Sequence, residues 1–97
     1  MADNLKGIPF GNGDEGLDYP LRARLAVLGA TELESEPLAL DQTYVVMFAY
    51  VLGGWKALVS TSRPDGRYFE VTHNKDKGEI YVDFYVKVDQ VVIETHP

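Results

Sequence analysis

From residue 43 onward, apolar and polar side chains alternate with a period of two, the spacing of strands buried on one face. Residues 43–52, rich in β-branched and aromatic types, predict a first strand, and Gly53-Gly54 reads as the two-residue turn of a hairpin. A second strand over 55–61 ends at Ser62-Arg63-Pro64-Asp65-Gly66, where Pro presets φ and Gly supplies a positive one. A third strand over 67–73 turns at Asn74-Lys75-Asp76-Lys77-Gly78. The fourth, over 79–88, sets Ile80, Val82, Phe84, Val86 and Val88 against Glu79, Tyr81, Asp83, Tyr85 and Lys87. Val91-Val92-Ile93 reads as a fifth strand or the bent end of the fourth.

Opposed residues of an antiparallel pair share a face, so the alternation constrains the register. The Gly53-Gly54 turn pairs Leu52 with Trp55, Tyr50 with Ala57 and Phe48 with Val59. Val59 then meets Phe69 and Ala57 meets Val71, while Phe69 faces Val82 and Val71 faces Ile80. Glu70 is thereby set opposite Tyr81, and Tyr68 opposite Asp83. One face collects Val46, Phe48, Tyr50, Ala57, Val59, Phe69, Val71, Ile80, Val82 and Phe84, the expected core. The other carries Lys56, Leu58, Ser60, Tyr68, Glu70, Tyr81, Asp83 and Tyr85, with Val45, Met47, Ala49 and Val51 beside them.

Upstream, Asp18 is a natural N-cap and Pro20 fits a first helical turn. Leu21, Leu25 and Leu28 fall on one helical face, and Gly29 can supply a left-handed stop, which predicts a helix over 19–28. A strand competes for 21–25, which also alternates; the helix is preferred, and it is the only element available to cover the apolar face of the sheet. Residues 31–42 form an acidic connection interrupted by Pro37. Residues 1–16, rich in Gly, Asn and Asp, read as a flexible arm, leaving 17–97 as a single domain. The expected fold is α+β: a four- to five-stranded antiparallel β-meander with one N-terminal helix packed on one face.

Charge narrows the partners. The chain of 97 residues carries a formal −6, and residues 1–50 hold 8 acids against 3 bases. No positive footprint for phosphates exists, so nucleic acid is not an expected partner. An acidic nucleic-acid mimic is an alternative, if the carboxylates of 14–41 are arrayed on one surface. Without cysteine there is no disulfide, thiolate nucleophile or Cys-based zinc site. No apolar run reaches the ~20 residues of a membrane span, and no basic-then-apolar leader opens the chain, so a cytoplasmic protein without membrane contact is expected.

Motifs for catalysis are scarce. Gly11-Asn12-Gly13-Asp14-Glu15-Gly16 lacks the preceding strand and following Gly-Lys-Ser/Thr of a phosphate loop, and lacks the distal Glu of a calcium loop. His73, Asp76 and Glu79 cluster at one turn, but Lys75 and Lys77 stand between them, and the segment reads as a polar hairpin turn rather than a metal site. No cofactor is expected. A small enzyme or ligand site around His73, Glu70 and Asp83 remains an alternative, which a deep pocket lined by those groups would favour. The tyrosines interleaved with carboxylates on the second face suit a protein partner, since Tyr offers broad contact and a hydroxyl at low entropic cost. Cross-strand Tyr–Glu and Tyr–Asp pairs on an ordinary solvated face would give the same pattern.

The chain also carries Tyr44-Val45-Val46, Trp55-Lys56-Ala57-Leu58, Ser60-Thr61, Pro64-Asp65-Gly66, Tyr68, Glu70-Val71-Thr72, Asn74, Asp76-Lys77, Glu79, Tyr81, Asp83 and Tyr85. In these it resembles a family of short uncharacterised proteins encoded by phages and prophages of Gram-positive bacteria. The resemblance runs through all four strands and implies a phage or prophage origin and the cytoplasm of a host cell. It implies no activity and no catalytic residues. The expected function is therefore a non-enzymatic interaction module, accessory or host-modulating. It would bind a host or phage protein, or itself, through Tyr68, Tyr81, Tyr85, Glu70, Asp83 and Lys56.

Overall fold

A computed structural model describes residues 18–96. The arm expected over 1–16 lies outside the described residues. Helix α1 spans Tyr19–Thr31, a short 3-10 turn covers Leu40–Gln42, and the strands are β1 (Thr43–Val51), β2 (Gly54–Thr61), β3 (Arg67–Asn74) and β4 (Glu79–Val86). The strands form one antiparallel sheet in the order β1-β2-β3-β4, a simple meander, with α1 packed across one face.

Asp18 starts α1 as its pattern requires, its carboxylate accepting the Leu21 N–H at 3.0 Å, with Pro20 in the first turn. The helix does not stop at Gly29. No glycine of α1 has positive φ, and the Thr31 hydroxyl donates to the Val27 carbonyl at 2.9 Å, closing a further turn. The face against the sheet is also not the leucine stripe. Ala23, Ala26 and Val27 are fully buried with Arg22, Gly29 and Thr31, while Leu28 packs at the margin and Leu21 and Leu25 are half-buried. Small side chains allow the helix to approach the sheet closely, so the larger leucines flank the contact rather than fill it.

Opposite the helix lie Trp55, Ala57, Val59, Phe69 and Val71, with Val45, Phe48, Ile80 and Val82 around them. Burying these side chains, at ~25 cal/mol per Å² of apolar surface, is the main stabilising term. The β2–β3 register is the expected one, Val59 opposite Phe69 and Ala57 opposite Val71. The other two registers differ. The first hairpin turns at Leu52-Gly53, one residue early, because Gly53 takes φ +87° while Gly54 pairs in the strand. Tyr50 therefore faces Trp55 and Phe48 faces Ala57. A bulge at Val46 then re-phases β1, so Val45 joins the core side and Val46 is 62% exposed, reversing the two expectations.

Between β3 and β4 the pairing slips by two residues, giving Phe69–Phe84, Val71–Val82, Glu70–Asp83 and Tyr68–Tyr85. No fifth strand forms among the described residues, and β4 ends at Val86 rather than at 88. The cause is the length of β3: Lys87 N–H still bonds the Gly66 carbonyl at 2.8 Å, but beyond Gly66 the neighbouring chain has entered its turn. Tyr50 and Phe84, expected in the core, stay largely exposed because α1 covers the middle of the sheet and not its margins.

The acidic connection 32–42 is held by arginines. Arg63 donates to the carbonyls of Glu36 and Pro37 and to the Gln42 side chain at 2.6, 2.7 and 3.1 Å. Arg24 donates to the Leu40 carbonyl and the Thr43 hydroxyl at 2.8 and 3.0 Å. Arg67 grips the Glu34 carboxylate with both terminal nitrogens, at 2.8 and 3.0 Å. Leu38 is pinned into the core between these anchors.

Candidate functional site

The face of the sheet away from α1 is covered by no other described element. Its rows follow from the pairing: Tyr44, Ser60, Tyr68 and Tyr85 in one, Met47, Leu58, Glu70 and Asp83 in the next, then Ala49, Lys56, Thr72 and Tyr81. All six residues expected to meet a partner (Lys56, Tyr68, Glu70, Tyr81, Asp83 and Tyr85) share this face. Tyr44, Val46 and Met47, each at least 46% exposed, extend it over β1.

The two-residue slip of β4 changes how these groups meet. Tyr68 lies opposite Tyr85 instead of Asp83, and the rings stack at 5.2 Å with planes 10° apart. Glu70 lies opposite Asp83 instead of Tyr81, placing two carboxylates side by side. Glu70 is compensated by Lys56 Nζ at 3.4 Å and by the Tyr85 hydroxyl donating at 3.3 Å. Asp83 makes no ion pair among the described residues. The Tyr81 hydroxyl donates to Glu79, whose carboxylate holds the Tyr81 pKa above its ordinary value. Tyr85 is also raised, first by the negative charge of Glu70 and then by its loss of hydration. Both phenols thus stay neutral donors well into alkaline solution.

His73 does not join this cluster. Its ring lies on the helix side of β3, tilted 32° against the Trp55 ring with centres 5.4 Å apart, while Glu70 and Asp83 face the other way. An open groove of about 610 Å³ lies at the far end of the sheet, between Leu58, Arg63, Tyr68 and Val88, and none of His73, Glu70 and Asp83 lines it. Of the acids in 14–41, Asp14 and Glu15 fall outside the described residues, and Glu34 is bound by Arg67 rather than presented to solvent.

Sequence reasoning missed the arginines. Arg67, Glu34 and Asp65 form the strongest charged cluster described, with Arg67 Nε on Asp65 at 3.2 Å and its guanidinium 5.5 Å from the Phe69 ring centre. The Glu34 carboxyl is held below its ordinary pKa chiefly by hydrogen bonds from Arg67, and Asp65 chiefly by the Arg67 backbone N–H. An Asp two residues before an Arg across a Pro-Asp-Gly turn was visible in sequence; the distant Glu34 was not.

A family model describing a family of unknown function matches residues 23–95. The chain belongs to that family, DUF6275. The DUF6275 match takes in α1 from Ala23, the connection, all four strands and the segment after β4. It reaches further toward the N-terminus than the strand residues that carried the resemblance. Nothing matches the chain among curated proteins or among solved structures. Among the described residues, no helix is long and apolar enough to cross a membrane.

Proposed function

We propose that this protein is a small non-enzymatic interaction module, encoded by a phage or prophage and acting in the cytoplasm of the bacterial host, that holds a protein partner on the outer face of its sheet. One observation carries the reading: the uncovered face concentrates Tyr44, Tyr68, Tyr81, Tyr85 and Met47 around the Glu70–Asp83 carboxylate pair. Tyr and Met are enriched at protein interfaces, and carboxylates set among them suit a partner that presents cations. Asp83, which makes no ion pair among the described residues, and the net charge of −6 favour a partner surface that presents Lys or Arg between apolar groups. The ligand-site reading around His73, Glu70 and Asp83 has no comparable support, since the sheet separates the histidine from the carboxylates.

The test compares tagged wild type with Tyr81→Ser/Tyr85→Ser in a pull-down from host lysate read by mass spectrometry. Both side chains are about 40% exposed and outside the core, so the double variant keeps the near-native fluorescence of Trp55. The expected result is a protein held by wild type and lost from the variant. Equal capture by a folded variant would overturn the assignment of this face.

A further inference from the structure

β4 is an edge strand, and its backbone has an identifiable free side. The bond from the Lys87 N–H to the Gly66 carbonyl turns the odd-numbered residues of β4 toward β3. The N–H and C=O groups of Val82, Phe84 and Val86 therefore point outward, and no described strand pairs with them. The opposite edge, β1, is interrupted by the Val46 bulge, a device that discourages strand addition. β4 has no bulge and no proline, and its continuation exposes Phe84 at 50%, Val86 at 59% and Val88 at 95%. Asp83 and Lys87, both with side chains on the outer face, make no ion pair among the described residues.

We propose that a second copy of this chain pairs with the β4 edge, antiparallel, about a two-fold axis at Tyr85. Each Asp83 then lies opposite Lys87 of the other copy, Phe84 opposite Val86, and Val82 opposite Val88. Charge selects this register over its neighbours. An axis at Phe84 sets Glu79 against Asp89, an axis at Val86 sets Asp83 against Asp89, and an axis at Asp83 sets that carboxylate against itself. The Tyr85 axis brings two reciprocal Asp–Lys pairs together and opposes no like charges. Backbone direction agrees: the Phe84–Val86 and Val82–Val88 pairs are those whose groups point outward, so they carry the hydrogen bonds. The pairing also gives residues 88 and 89 a neighbour that β3 is too short to supply, and it covers apolar side chains that α1 leaves open. The edge shares Asp83 and Tyr85 with the outer face, but its readout needs no other protein.

The chain has no cysteine, so Tyr85→Cys introduces a single thiol. At the axis Tyr85 forms a non-hydrogen-bonded pair with itself, where Cα atoms approach to about 4.5 Å, within disulfide reach. Mild oxidation is expected to convert Tyr85→Cys to a covalent dimer and to leave Tyr81→Cys, which faces Asp89, uncrosslinked. Equal crosslinking of the two would overturn the register. By sedimentation equilibrium the wild type is expected at twice its 10.8 kDa, Lys87→Asp at half the wild-type mass, and Asp83→Lys/Lys87→Asp back at the dimer mass. A monomeric wild type, or a Lys87→Asp variant with unchanged mass, would overturn the pairing; native Trp55 fluorescence confirms that each variant is folded.

Discussion

Arg67 and Glu34 join the start of the connection after α1 to the start of β3, and the strength of that joint can be measured directly. The guanidinium binds both carboxylate oxygens, at 2.8 and 3.0 Å, with side chains 19% and 34% exposed. Exposed ion pairs contribute about 0–1 kcal/mol and buried hydrogen bonds to charged groups about 1.5–3 kcal/mol. Partial exposure and bidentate geometry put this pair between the two, at about 1 kcal/mol of coupling. Arg67→Gln alone costs more, about 2 kcal/mol, because it also removes the bond to Asp65 and the contact with the Phe69 ring. Urea unfolding followed by the single tryptophan, Trp55, which is 2% exposed when folded, reads both numbers in a double-mutant cycle with Glu34→Gln. Acid supplies an independent check. The folded Glu34 pKa is lowered, so its contribution is complete above the unfolded value of about 4.3 and disappears as pH falls through the lower folded value. Glu34→Gln should flatten that part of the acid limb, while the part due to Asp65 survives because a backbone N–H holds it. A coupling below about 0.3 kcal/mol, the scatter of independent sites, with an unchanged acid limb would refute the joint.

The first hairpin gives two further tests. A Cβ on Gly54 would land on the His73 backbone carbonyl, so Gly54→Ala should cost about 3 kcal/mol or more, whereas Gly53→Ala, in open space at φ +87°, should cost about 1 kcal/mol by thermal unfolding. Deleting Val46 removes only the bulge and keeps every β1–β2 pair, so stability should fall by less than about 1 kcal/mol. Deleting Ala49 shifts Phe48 off its 5.6 Å stack on Trp55 and should cost about 2–3 kcal/mol; equal costs would contradict the bulge.

Period-two alternation located all four strands and, outside the Val46 bulge that reverses Val45 and Val46, both faces, because in a regular strand the side a residue takes depends only on parity. It could not fix the β3–β4 pairing. A slip of two residues preserves every face, and the choice falls to the turn, where Asn74 caps Lys77 N–H at 3.1 Å and Gly78 takes φ +64°. The Gly53-Gly54 pair was ambiguous by one residue for a related reason: two glycines offer positive φ, and only the close approach of Gly54 to the His73 backbone decides between them. The helix face misled because large leucines signal burial in isolation, whereas proximity to a sheet rewards Ala23 and Ala26. Residues 91–93 have strand composition but no neighbour, and a strand without one gains no hydrogen bonds.

Tyr85 belongs both to the outer face and to the proposed axis, and this ties the two surfaces together. Around that axis the Tyr68–Tyr85 stacks of two copies would stand side by side, with the Asp83–Lys87 pairs flanking them, so the aromatic area offered to a partner would double without any new residue. Lys56 and Glu70 lie inward of this stripe and are already paired, which leaves them to set orientation rather than affinity. The two proposals then separate in one pair of variants. Tyr81→Ser removes a ring from the face and leaves the Tyr85 axis and the Asp83–Lys87 pairs intact, whereas Lys87→Asp breaks those pairs. A partner that survives Lys87→Asp needs only one copy of the face; a partner lost with the dimer spans both. In the second case the β4 edge is part of the binding site.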